Sequence, residues 1–515
     1  MVSRERMSAE HRKLLAASTP KEIQATLWRA ADKLRGSIDA SQYKELVLGL
    51  VFLKYLSDAF DERRNDLVEG LVGEDLTGDP RDDLVEDPAN YTGAGVFWVP
   101  RTARWSWIAA NARNTDAGRV LDAAMDAVMQ GNTALAGVLP RVFDRDNIDQ
   151  KRLAELIDLI GDVRLGGIAD GSARDAQGQV YEYLLAQFAR AEGMRGGEFH
   201  TPRSVARLMV EMLSPQAGRV YDPVCGSASM LTQAAQFGGA DPAEGHISVF
   251  GQEINERTWR LAMMNLAVHG VRGDHTVRRG DSLSDDQHPG LRADFVMAHP
   301  PFNVSDWARD VADSRWKYGV PPASNANFAW LQHVVAKLGD QGTAAVVLTN
   351  SSIRSARNAE GEIRQAMVED DLVACIVALP PQLFHTTRIS ACLWILAKDK
   401  SAQSAKRLAD RRGQILFIDA HEMGTAASKR ERVLTDANLA KIAGVYLAWR
   451  GTDSHYHDEP DFCFSASVAT VREHDYALIP GLYIEPASLI APDPTPGPAG
   501  LMRDLYAIFD GRSYR

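Results

Sequence analysis

Residues 218–229 read GRVYDPVCGSAS, and residues 293–302 read ADFVMAHPPF. Each is a short apolar run that breaks abruptly into a turn of small, polar or proline residues. The same texture recurs in HISVFGQE (246–253), HTVRRGDSL (275–283), GTAAVVLTNS (342–351), LVACIVALP (372–380) and ISACLWILAKD (389–399). Apolar runs of this length, separated by helical stretches, predict an α/β fold with a seven-stranded, doubly wound sheet. Between the second and third runs, NERTWRLAMMNLAVHG (255–270) places Trp259, Ala262, Met263, Leu266 and Ala267 on one face, which predicts a crossover helix.

Outward from this block the pattern changes. Residues 21–64 carry Ile23, Leu27, Ala30, Ala31 and Leu34 at helical spacing, followed by a second apolar helix from about Tyr43 to Phe60. Helical periodicity returns at 118–130 and 147–161, so residues 1–165 are expected to form a mostly helical domain. The sheet domain is expected over 166–450. Residues 451–515 are rich in Pro, Gly and His and end in LMRDLYAIF, which predicts a peripheral tail with a terminal helix.

The 515 residues are 45% hydrophobic and 24% charged, an ordinary soluble composition. No run approaches the roughly 18 apolar residues of a membrane span, and MVSRERMSAEHRK lacks a signal-peptide core, so a cytoplasmic address and no membrane partner are expected. Cys225, Cys375, Cys392 and Cys463 are far apart and show no zinc spacing, which argues against both a disulfide framework and a metal site. The net charge of −11 excludes a protein that grips nucleic acid through an overall basic surface. A nucleic-acid function would need a partner or a local basic groove.

Ligands of an open α/β sheet bind at the carboxyl ends of the strands. After the first strand, Asp222, Gly226, Ser227 and Ala228 belong to a tight turn entering a helix, where backbone amides can approach a ligand. The second strand ends in Glu253, placed to accept from two ribose hydroxyls, and the third ends near Asp281, placed to accept from an adenine amino group. Singly, each acid reads equally as a cap or a solvated loop residue. Three polar loops on successive strands point to a nucleoside-type cofactor.

The fourth strand runs into His299-Pro300-Pro301-Phe302. This loop resembles that of the amino-group DNA methyltransferases, Asn/Asp/Ser-Pro-Pro followed by an aromatic residue. Upstream, GEFHTP (197–202) resembles the segment that covers the cofactor's methionine end in the same family; Thr201-Pro202 reads equally as a helix start. Over nearly the whole chain the resemblance is closest to the modification subunits of type I restriction–modification systems. It is carried further by residues 27–60, YEYLLAQFARAEGMRGGEF (181–199), NANFAWLQHVVAKL (325–338), LPPQLF (379–384) and DYALIPGLYI (475–484).

The resemblance implies a class I, Rossmann-like methyltransferase fold. It implies S-adenosylmethionine as cofactor, held by Glu198, Phe199, Thr201, Asp222, Gly226, Ser227, Ala228, Glu253 and Asp281. Methyl transfer to adenine N6 would fall to His299 and the Pro300 carbonyl as acceptors from the amino group, Pro301 as a stiffener, and Phe302 as a stacking surface for a flipped base. The implied partners are double-stranded DNA, a specificity subunit carrying two copies of this chain, and a restriction subunit. The N-terminal helices would help clasp DNA, and the C-terminal helix would pack on the specificity subunit.

Three stretches depart from the family pattern. His299 stands where Asn is usual, Ala228-Ser229 stand where two glycines keep space for the cofactor, and Thr387-Arg388-Ile389-Ser390 replaces Thr-Gly-Ile-Pro. They leave an alternative reading: a catalytically impaired relative that keeps the fold and the assembly surfaces in a phage-defence complex.

Overall fold

The computed structural model describes residues 20–32, 40–70, 79–112, 116–165, 171–192, 201–238, 246–271, 277–354, 359–384, 389–428, 431–452 and 455–486. All seven expected strands form: β1 (Gly218–Asp222), β2 (Ile247–Glu253), β3 (Val277–Arg279), β4 (Ala293–Ala298), β5 (Leu338–Thr349), β6 (Val373–Ala378) and β7 (Ala391–Ala397). The sheet is larger than expected. β8 (Gln414–Asp419) and β11 (Cys463–Ser467) extend it to nine strands in the order β11-β8-β6-β7-β5-β4-β1-β2-β3, while β9 (Thr425–Ser428) and β10 (Glu431–Val433) make a separate hairpin.

β1 pairs in parallel with β2 on one side and β4 on the other. Strand order therefore reverses at β1, which creates the crevice where doubly wound sheets bind ligands. β7 is antiparallel to both β5 and β6. Its residues, including Trp394, are buried throughout, as the continuous apolar run ACLWILA requires of a strand covered on both faces.

The expected helices of the first part of the chain form at Pro20–Asp32, Ala40–Gly70, Ala117–Gly131 and Gln150–Gly161. Their core does not end at residue 165. Tyr181, Leu184, Leu185 and Phe188 of the helix Gly171–Glu192 belong to it, as do Leu261, Met264 and Val268 of the crossover helix Glu256–Val268. Arg260 of that crossover helix reaches Glu45 at 2.9 Å, where Glu45 is 5% exposed. Helical layer and sheet domain thus share one apolar seam with a partly buried ion pair across it.

The expected boundary at 450 is also displaced. Trp449, at the end of the helix Asp436–Arg450, donates to Ser465 Oγ at 2.9 Å, and β11 lies beyond it as the sheet's edge strand. The segment 455–486 is part of the sheet domain rather than a tail. LMRDLYAIF lies outside the described residues. Among the described residues, no helix is long and apolar enough to cross a membrane, no group of three or more His, Cys, Asp or Glu side chains could hold a metal ion, and all four cysteines are buried and free.

Candidate active site

The turn after β1 is built by backbone geometry. Asp222 ends the strand fully buried, and its Oδ1 accepts the Val224 amide at 3.0 Å, reversing the chain. The Cys225 amide then donates to the Gln252 carbonyl at 3.0 Å, and the Gly226 amide to Glu253 Oε2 at 3.1 Å. Gly226 has φ +55°, and a Cβ added there would meet nothing within 4 Å, so the turn faces open space. Burial pushes the Asp222 carboxyl up, the Val224 amide partly opposes this, and the Glu253 charge adds to it, giving about 8. Its Oδ2 has no hydrogen-bond partner.

Ala228 also adopts a left-handed conformation, φ +61°, at the start of the helix Ser229–Phe237. Glycine takes this conformation without steric cost, whereas an L-residue pays about 1–2 kcal/mol. The methyl group, however, is fully buried in the core and is not among the groups lining the cavity. The cost visible at this position is backbone strain. Ser229 Oγ lies 3.2 Å from Ser227 Oγ, and Asn265 donates to the Ser227 carbonyl at 2.9 Å.

At the end of β2, Glu253 Oε1 accepts the Asn255 amide at 2.8 Å while Oε2 takes Gly226, so one carboxylate joins the first two turns. The third turn is tied in by Ser282, whose hydroxyl donates to the Pro223 carbonyl at 2.6 Å. Asp281 Oδ1 accepts the Leu283 amide at 3.0 Å and Oδ2 the Ser284 hydroxyl at 2.8 Å. Each acid is held in one orientation by local donors.

After β4, His299 is 5% exposed, with Nδ1 2.9 Å from Thr201 Oγ1. Its ring meets Phe302 edge-on at 5.2 Å and lies tilted against Phe384 at 5.0 Å. Phe384 ends the LPPQLF stretch, which brings that motif to the site. Thr201 does not cap the following helix: Pro202 occupies the cap position of Arg203–Leu213, and no side chain caps it. The threonine hydroxyl goes to the histidine instead.

Asn303, with φ +54°, is clamped by Asn327, whose Oδ1 accepts the Asn303 amide at 3.1 Å and whose Nδ2 donates to Asn303 Oδ1 at 2.9 Å. The long loop that follows is braced by Arg315, which donates to the Ser282 carbonyl at 2.8 Å, to the Leu283 carbonyl and to Asp313. It also lies 2.7 Å from His333 Nδ1. Burial and the neighbouring guanidinium hold His333 down to about 3, so this imidazole is neutral.

A cavity of about 470 Å³ lies over these turns, within the range of ligand sites. Gly226, Ser227, Glu253, Asp281, His299 and Pro301 all line it. Asp222, Ala228, Pro300 and Phe302 are not in its lining but support residues that are. Glu198 and Phe199 lie outside the described residues, as does Arg388. Sequence reasoning missed Lys44, Leu185 and Ala189, which the helical layer contributes, and Trp307 and Trp330, which also line the cavity. Farther along the chain, Arg411 donates to the Trp449 carbonyl, and the exposed Arg412 pairs with Asp410.

Residues 172–489 match the family model described as N-6 DNA Methylase, and residues 23–160 match that of the HsdM N-terminal domain. The chain is 39% identical to the type I restriction enzyme HindI methylase subunit of Haemophilus influenzae, over 75% of this chain and 89% of that one. It is 34% identical to the MjaIX methylase subunit of Methanocaldococcus jannaschii, over 90% and 84%. Its structure resembles the crystal structure of the type I restriction-modification system methyltransferase subunit from Streptococcus thermophilus, with a TM-score of 0.75 and 25% identity, covering 91% of this chain and all of that one. A sheet with its strand order reversed at β1, three acidic or glycine turns around one cavity and a Pro-Pro-Phe loop at its rim therefore sit in a chain that belongs to the N-6 DNA methylase family, among the methylase subunits of type I restriction enzymes.

Proposed function

We propose that this chain binds S-adenosylmethionine in the cavity over β1, β2 and β4 and transfers its methyl group to N6 of an adenine flipped out of double-stranded DNA. The observation that carries this reading is the convergence of Gly226, Glu253, Asp281 and His299 on one cavity. The residues fit the cofactor: Gly226 leaves room where a side chain would intrude, and Glu253 and Asp281 offer oriented carboxylate oxygens to ribose hydroxyls and an adenine amino group. Leu283, Trp307 and Trp330 supply apolar walls suited to a purine ring.

The cofactor supplies an electrophilic methyl group on a sulfonium. The protein's part is to make the adenine amino nitrogen nucleophilic, since its lone pair is delocalised into the ring. Acceptors at the His299 ring and the Pro300 carbonyl would draw on the two amino hydrogens and localise that lone pair, while Phe302 stacks on the flipped base. The prolines fix the backbone on which all three groups ride.

The net charge of −11 supports a division of labour in which a specificity subunit chooses the site and supplies much of the phosphate grip. On this reading two copies of the chain serve one specificity subunit, and a restriction subunit joins the complex. The named methylase relatives support methyl transfer over a purely architectural role.

The test is methyl transfer by the chain co-expressed with its specificity subunit, read as N6-methyladenine by mass spectrometry of product DNA. His299→Ala is expected to lower turnover at least about 100-fold while cofactor affinity stays within twofold, in line with removal of one transition-state hydrogen-bonding group. An assembled complex that shows no calorimetric binding of S-adenosylmethionine would end this reading.

A further inference from the structure

We infer that Thr201 is a positioning residue that sets the tautomer of His299, so that the imidazole presents Nε2 as an acceptor to the amino group of the target base. The inference rests on the methyl-transfer reading and deepens it. An asparagine at this position would carry a carbonyl oxygen that accepts whatever its surroundings. A neutral imidazole carries one acceptor nitrogen and one N–H, and which is which depends on the partner of the other nitrogen.

Thr201 Oγ1 lies 2.9 Å from Nδ1 of His299. Two proton arrangements satisfy that distance. If the threonine hydroxyl donates to Nδ1, the ring proton sits on Nε2, and a donor then faces the amino hydrogens of the substrate. If Nδ1–H donates to Oγ1, Nε2 keeps its lone pair and can accept one of those hydrogens. The distance fits both; the second is the one that the methyl-transfer reading requires, because only an unprotonated Nε2 can accept an amino hydrogen.

The ring is held for this role by its packing. Phe302 stands edge-on to it at 5.2 Å and Phe384 tilts against it at 5.0 Å, and the histidine is 5% exposed while lining the cavity. An Nδ1–H without its acceptor would be a buried unsatisfied donor, so removing the threonine oxygen favours the other tautomer. The threonine also belongs to a different part of the chain from β4: it precedes the helix Arg203–Leu213, ninety-eight positions away. Correct placement of that segment is thereby linked to the acceptor state of the histidine.

The test combines a spectroscopic and a kinetic readout on the full-length chain. Side-chain ¹⁵N spectra of histidine-labelled protein, with the His299 signals assigned by their loss in His299→Asn, are expected to show Nδ1 protonated and Nε2 unprotonated at neutral pH. Thr201→Val is expected to move the population toward the Nε2–H form, and Thr201→Ser to keep the wild-type form. In the assembled enzyme, Thr201→Val should lower kcat at least about tenfold with both KM values within twofold, and Thr201→Ser should restore it, about the effect of one hydrogen bond to a reacting group. A wild-type spectrum with Nε2 protonated, or a Thr201→Val variant with unchanged tautomer and kcat, overturns the inference. A wild-type assembly that transfers no methyl group although its spectrum shows Nδ1–H overturns the methyl-transfer reading and leaves the Thr201–His299 pairing in place.

Discussion

The Gly226 amide donates to Oε2 of Glu253 across 3.1 Å, so the glycine turn after β1 and the acid after β2 are one hydrogen-bonded unit at the point where strand order reverses. Glu253 has a second backbone donor in Asn255, 2.8 Å from Oε1. Glu253→Ala removes the acceptors proposed for the ribose and also leaves the Gly226 amide without this partner. Hydrogen bonds to charged groups contribute about 1.5–3 kcal/mol, so cofactor affinity should fall about 10- to 100-fold, with Glu253→Gln intermediate. Calorimetry measures it, with far-ultraviolet circular dichroism as the control for folding. An affinity within twofold of wild type for Glu253→Ala would take the residue out of the site.

Gly226 and Ala228 both have positive φ, but Gly226 lines the cavity while the Ala228 methyl is buried in the core, and two substitutions should separate strain from crowding. At Gly226 an added methyl meets no protein atom within 4 Å and lies on the cavity wall, so Gly226→Ala should weaken cofactor binding and add about 1–2 kcal/mol of backbone strain. At Ala228 the methyl is buried in the core. Ala228→Gly relieves that strain but loses a buried methyl worth about 0.8 kcal/mol, so stability should change by less than about 1 kcal/mol. Cofactor affinity should not change. A tenfold gain in affinity for Ala228→Gly would show that the alanine does crowd the cofactor.

These two positions mark what the chain states locally and what only folding decides. Strands β1, β2 and β4 to β7 are legible because each carries an apolar run ended by a turn, whereas β3, Val-Arg-Arg, is marked mainly by the Gly-Asp-Ser turn that ends it; Glu253, Asp281 and His299 fall at strand ends by simple counting. The direction of the Ala228 methyl is not legible, because it depends on a left-handed turn that the residue type alone would not suggest. Lys44, Leu185 and Ala189 reach the cavity because the helices Ala40–Gly70 and Gly171–Glu192 pack on the crossover helix, a contact between segments more than sixty residues apart. β8 and β11 are two different cases. QILFID carries an apolar run, Ile415–Ile418, of the same kind as the other strands and is paired on both sides, so it is open to the same reading, whereas the edge strand CFSAS has no such run and is part of the sheet through its pairing. Thr201 read as a cap because Thr-Pro commonly starts helices, yet its hydroxyl was taken by a ring ninety-eight positions later.

Asp222 should make stability depend on pH. Its carboxyl ionises near its ordinary value of 3.8 in the unfolded chain and near 8 in the folded one, chiefly because burial penalises the charge. Between those values the folded protein holds a proton that the unfolded chain has released. This contribution to stability is therefore fully present below about pH 4 and is lost progressively as pH rises through the folded value. Asp222→Asn keeps an oxygen for the Val224 amide and cannot ionise. Its melting temperature relative to wild type should rise steadily from pH 5 to pH 8.5 in matched buffers. Parallel curves across that range would mean that the folded carboxyl titrates normally.

Arg315 should be the residue on which the loop after β4 depends most. Its side chain is 14% exposed and forms an ion pair with Asp313, itself 16% exposed, while also donating to the carbonyls of Ser282 and Leu283. Its NH1 faces Nδ1 of the neutral His333, so that ring's proton sits on Nε2, 3.3 Å from the Tyr221 hydroxyl. Arg315→Leu leaves a partly buried carboxylate and two carbonyls without their donor. Breaking one side of such a pair costs about 3 kcal/mol after allowance for its partial exposure, measurable as a lower urea midpoint. Because Ser282 and Leu283 line the cavity, cofactor affinity should fall as well. Arg315→Lys restores the charge but not the fork that reaches several acceptors at once, so it should recover only part of either loss. Full recovery by lysine would show that charge alone holds the loop, and a midpoint unchanged by leucine would show that the loop is held by the Asn303–Asn327 clamp instead.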